Sequence, residues 1–111
     1  MAHYFHISSG LRGGYMPDSS YMLRCETRRD LKAAIASEAE SFADAGYKGA
    51  SKRAIAGLAA AAWQEAGKAR PSYLPLCLSL AQPHNLASYS HGIFAGIASR
   101  AEWLAYQESE A

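Results

Sequence analysis

Residues 51–68, SKRAIAGLAAAAWQEAGK, constrain the fold more than any other part of the chain. Wound at 3.6 residues per turn, the segment places Ile55, Leu58, Ala59, Ala62, Trp63 and Ala66 on one side. Ser51 stands where an N-cap is needed, its hydroxyl free to accept an orphan amide of the first turn. The other side carries Gly57, Ala60 and Ala61 between Arg53, Gln64 and Lys68, so it is small as well as polar. A helix with one bulky and one small face is expected to lie deep in a domain, packed on both sides.

The flanks supply what such a helix packs against. In residues 3–8, HYFHIS, Phe5 and Ile7 alternate with Tyr4 and His6, the period of a strand. Residues 8–20 are rich in Gly, Ser, Pro and Asp and read as a loop or wide hairpin. A second strand over 21–26 sets Tyr21, Leu23 and Cys25 against Met22, Arg24 and Glu26. Thr27 then caps a helix with Asp30 in its first turn, running to about Ala45 and stopped by Gly46. A short turn joins it to the central helix as an αα-hairpin.

Beyond Gly67 and Pro71 the pattern is less uniform. Leu74, Leu76, Leu78 and Leu80 alternate as in a strand, and Pro75 restricts that strand to an edge or a start. A short helix beginning near Pro75 is the alternative. Residues 82–90 read as a polar loop, 91–98 as a strand, and Ser99 with Glu102 as a capping box for a last helix over 100–108. CETRRDL (25–31) and IASRAEW (97–103) echo one another, as two ββα-like halves around a helical hairpin would. The expectation is one α+β domain over 1–111: a small antiparallel sheet packed on helices in the order ββααββα. Its bulky core is drawn from Phe5, Ile7, Leu23, Leu31, Ile35, Phe42, Ile55, Leu58, Trp63, Leu76, Leu78, Ile93, Ile97 and Leu104.

Charge and cysteine usage narrow the function classes. A formal charge of +1 and a pI of about 7.8 argue against an acidic DNA mimic and give little support to a nucleic-acid binder. Cys25 and Cys77 are too few and too distant for a disulfide framework, and two buried free thiols are expected. No signal-peptide pattern and no run of about 20 apolar residues is present, so a cytoplasmic location is expected.

The polar residues offer few chemical constellations. His3 and His6, three apart on a strand, diverge to opposite faces, and His84 and His91 lack a ligand spacing, so no metal is expected. Glu38 sits on the face made by Leu31, Ala34, Ile35, Phe42 and Ala45. There a carboxylate needs a partner, with Arg24, Arg53 or Tyr47 in reach, unless the helix end lifts it to a solvated edge. Gly10, Gly13 and Gly14 form no phosphate-binding fingerprint. With no nucleophile–base pair and no cofactor motif, a non-enzymatic interaction protein is the leading class. Its partner-binding residues are expected to be Arg12, Tyr15 and Met16 in the Gly-rich loop, and Lys48, Lys52 and Arg53 at the basic turn into the central helix, where Arg28, Arg29 and Lys32, nearby in the hairpin, would add to a local basic patch.

The chain also resembles the small accessory proteins carried by bacteriophages and mobile elements, anti-CRISPR proteins among them. The Ala- and Arg-rich composition, the opening YFHISSGLRG, and the TRRDLKAAI and SKRAIAGLAAAAW helices carry the resemblance. It implies inhibition by binding a Cas protein or complex, without catalysis. Two alternatives stand beside it. SKRAIAGLAAAAW resembles one helix of a helix-turn-helix, which implies a DNA-binding regulator. FHISS is similar to the strand opening of ADP-ribosyltransferases, which implies a pocket joining His6, Tyr21 and Glu38.

Overall fold

The computed structural model describes residues 2–11, 17–81 and 91–110. The chain runs β1 (His3–Leu11), β2 (Pro17–Cys25), α1 (Arg28–Asp44), α2 (Lys52–Ala66), β3 (Leu76–Leu80), β4 (His91–Ala98) and α3 (Arg100–Glu110). The four strands form one antiparallel sheet in the order β2-β1-β4-β3. The fold is therefore α+β with the expected ββααββα order.

Strand alternation divides the sheet into two faces. Phe5, Ile7, Ser9, Cys25, Leu78, Leu80, Ile93 and Ala95 are buried on one of them. They meet Leu31, Ile35, Ala39 and Phe42 of α1 and Ile55, Leu58, Ala59 and Ala62 of α2. The opposite face carries Tyr4, His6, Met22 and Phe94, and α3 lies there, its Trp103 ring 5.4 Å from that of Tyr4. The molecule thus has three layers: helical hairpin, sheet, single helix.

Local chemistry fixes the helix ends. Thr27 and Asp30 form a capping box on α1, Asp30 Oδ2 accepting from the amides of Glu26 and Thr27 at 3.1 and 3.0 Å. Gly46, with φ 92°, ends that helix in a conformation an L side chain rarely adopts. Ser51 Oγ accepts from Ala54 N–H at 3.1 Å to start α2. On α3, Glu102 N–H donates to Ser99 Oγ while Ser99 N–H donates to Glu102 Oε1.

Several expectations are corrected. Gly57 and Ala61 are exposed, so α2 is not packed on both sides. The sheet takes its bulky side and α1 one flank, which leaves the small side open to solvent. Leu104 is 42% exposed, because α3 rests on the sheet through Trp103 and points Leu104 away. Cys77 is exposed, not buried, since it lies on the sheet face away from the helical hairpin. It occupies one edge strand and Cys25 the other, on opposite faces, so the two thiols are both free. The first two strands extend further than their composition suggests, because Ser8 and Ser9 pair with Ser20 and Ser19 in the hairpin register. Residues 76–80 form a strand that starts immediately after Pro75. The internal echo does not survive as a symmetry: β2 leads into α1 from a sheet edge, whereas β4 leads into α3 from the sheet centre.

Candidate functional site

A surface depression lies between the two helices of the hairpin. It encloses about 720 Å³, with Ala56, Ala59 and Ala60 of α2 as its floor and Thr27, Arg28, Arg29 and Lys32 as its wall. The small side chains of α2 make the depression, since three alanines in two turns leave the interhelical seam unfilled. Arg28, Arg29 and Lys32 are exposed, and none is in an ion pair among the described residues. The acids beside them are already engaged. Asp30 holds the capping box and Glu26 pairs with Arg24. Among the described residues, the wall therefore presents three cations with no ion-pair partner next to an apolar floor.

Of the expected contact residues, Arg12, Tyr15 and Met16 lie outside the described residues. Lys48, Lys52 and Arg53 are exposed and likewise without an ion pair among the described residues. They do not line the interhelical groove. Lys52, Ala56 and Ala60 nevertheless fall in one i, i+4 row, so Lys52 stands one turn, about 6 Å, along from the groove floor. Sequence reading recognised Arg28, Arg29 and Lys32 as neighbours of the basic turn but did not place them at a groove. The signal available was the run of alanines facing them.

Glu38 is neither a bare solvated edge nor a partner of Arg24. The hydroxyl of Ser9 donates to Glu38 Oε2 at 2.9 Å, and Ser9 itself is buried. Burial, and then the Glu38 carboxylate, push the Tyr21 phenol up from its ordinary range. His91 packs its ring against Tyr47 at 4.8 Å and Phe42 at 5.8 Å, half-buried rather than solvated. Ser9, missed in the sequence, is the polar residue around which this end of the core is arranged.

The pocket that an ADP-ribosyltransferase-like site would need is not assembled. His6 pairs across from Met22 on the α3 side of the sheet, and its Nε2 lies 2.8 Å from Ser20 Oγ. Tyr21 and Glu38 are on the other side. His6 lines a separate shallow cavity of about 380 Å³ with Met22, Tyr73 and Pro75. His3 turns the opposite way and meets Trp63 edge-on at 4.7 Å. Among the described residues no three His, Cys, Asp or Glu side chains gather in a way that holds a metal. No helix among them is long and apolar enough to cross a membrane.

Comparison with family models, with curated proteins and with solved structures returns no match to this chain.

Proposed function

We propose that the chain is a small non-catalytic interaction protein that docks an acidic protein surface on its helical hairpin. The observation that carries this reading is the interhelical groove, where Arg28, Arg29 and Lys32, without an ion pair among the described residues, stand over an alanine floor. An apolar floor rimmed by one sign of charge suits a partner that inserts a side chain and surrounds it with carboxylates. Lys52 and Arg53, on the first turn of α2, add positive charge on the helix that supplies the floor. In biological terms the reading is a phage or mobile-element inhibitor of the anti-CRISPR kind, acting by steric block of a Cas protein or complex in the cytoplasm.

Reversing Arg28, Arg29 and Lys32 to Glu tests it. Negative charge in the first turns of a helix suits the dipole, so the triple variant is expected to keep its melting temperature. In a strain whose CRISPR–Cas system targets an infecting phage, expression of the wild-type chain is expected to restore plaques and the variant to lose that effect. The reading is wrong if the wild type gives no protection, or if the variant protects equally well. A gel shift on duplex DNA that weakens steeply with salt would instead favour the DNA-binding alternative.

A further inference from the structure

We infer that the open edge of β3 and the small face of α2 form a second docking site, one that takes an extended peptide as a fifth strand. This goes beyond the interhelical groove and shares with it only the premise that the chain binds protein.

The argument starts from main-chain direction. Lys48 N–H donates to Ala81 O at 3.0 Å and Ala81 N–H to Lys48 O at 2.7 Å, an isolated antiparallel bridge on the outer side of β3. In an antiparallel strand alternate residues aim their amide and carbonyl groups to the same side. Cys77 and Ser79 therefore aim theirs outward with Ala81, while Leu76, Leu78 and Leu80 face β4. Among the described residues neither Cys77 nor Ser79 has a main-chain partner on that side. The turn between the helices starts a fifth-strand ladder at Lys48, then abandons it as the chain enters α2 at Ser51.

Gly49 packs against the Ser79 carbonyl, and beyond it the edge toward Cys77 has space for a short strand. A groove of about 360 Å³ runs between α2 and β3, with Ala54, Gly57 and Ala61 on the helix side and Leu76 and Leu78 on the strand side. A β-carbon added at Gly57 would meet nothing within 4 Å. Larger residues on that face would close the gap against the sheet edge. An extended segment seated there gains main-chain hydrogen bonds from Cys77 and from the Ser79 amide, and apolar contact from Leu76 and Leu78, the physics of strand addition.

Charge selects the occupant. Lys48 lies at the bridge, and Lys52 and Arg53 precede Ala54 on the first turn of α2, so one end of the groove is ringed by three cations without an ion pair among the described residues. The partner is accordingly an extended peptide segment without proline, carrying Asp or Glu at the end that meets Lys48. Pro75 closes the other end, since its nitrogen donates nothing, which limits the added strand to a few residues.

Selection of random heptapeptides displayed on phage, with the wild-type chain as target and Gly57→Leu as counter-target, tests the site. Leu at 57 extends into open space and is a better helix former than Gly, so this variant stays folded while filling the groove. Expected are acidic heptapeptides that bind the wild type and bind Gly57→Leu at least tenfold more weakly. The synthetic peptide so obtained should slow amide hydrogen exchange at Cys77 and Ser79 at least tenfold, and lose binding when its alternate amides are methylated. Lys48→Glu with Lys52→Glu should weaken it at low salt. No enrichment on the wild type over Gly57→Leu overturns the proposal, as does a bound peptide that leaves Cys77 and Ser79 exchange unchanged. Either failure leaves the interhelical reading standing, because that reading is scored by Arg28, Arg29 and Lys32.

Discussion

The hydroxyl of Ser9, toward the end of β1, donates a 2.9 Å hydrogen bond to the carboxylate of Glu38 on α1. The two residues tie the central sheet to the first helix through a polar contact set among Ile7, Ile35 and Phe42. A charged acceptor makes this stronger than a neutral pair. Ser9→Ala is expected to cost about 1.5–3 kcal/mol in urea unfolding. Glu38→Gln keeps an acceptor for Ser9 and should cost less. A Ser9→Ala loss under about 0.5 kcal/mol would show that the contact is not holding the layers together.

Trp63 is half-buried, with its ring stacked on Phe5 at 6.0 Å and its edge contact to His3. The sequence places it fully in the core, where truncation costs about 3–5 kcal/mol. With one side open, Trp63→Ala is expected to cost about 2–3 kcal/mol by the same accounting. Chemical denaturation measures it directly.

That difference illustrates what the sequence carries and what it leaves out. Helix starts were legible at Thr27, Ser51 and Ser99 because each cap is a local bond between a side chain and an amide three residues on. The strand at residues 91–98 was legible because its alternation is local too. Depth was not. Whether Trp63, Leu104 or Cys77 is covered depends on which element crosses above it, and that is set by strand order rather than by neighbours in the chain. Ser9 was hidden for the same reason, its partner being 29 residues away in α1. For the basic residues, the sequence showed the clustering but not the alanine floor that turns part of it into a groove.

Gly92 lies under Cys77 and Phe94, where a β-carbon would come 2.8 Å from Cys77 Sγ and 3.2 Å from Phe94 Cζ. Gly92→Ala is expected to destabilise by about 1–3 kcal/mol through overpacking. Adding Cys77→Ala removes the closest atom and should recover part of that loss. A double-mutant cycle with no coupling would contradict the packing described.

The two thiols should differ in reactivity. Cys77 is exposed, whereas burial, followed by the Asp30 carboxylate, pushes the buried Cys25 thiol up to about 11. In the native protein one thiol per chain is expected to react quickly with a disulfide reagent at neutral pH, and the second only on unfolding. The raised value also has a pH consequence. The folded state holds the Cys25 proton more tightly than the unfolded chain. This contribution to stability is therefore complete below the ordinary thiol range and is lost as pH rises toward about 11. The alkaline decline in stability should be shallower in Cys25→Ala than in the wild type.

The sheet order sets β1 beside β4, so Tyr4 is paired with Ala98 at the centre of the sheet. Strands about ninety residues apart in the chain must therefore meet before the sheet has a middle, and closing so long a loop makes that step slow. On the ribosome, the β1–β2 hairpin and the two-helix hairpin can form early, yet they lack the strand that joins them to β3 until β4 has been synthesised. Through that interval the inner edge of β1 remains an unpaired ladder. Nascent chains are thereby exposed to pairing with one another, and a high rate of expression should favour aggregates that a slower rate avoids.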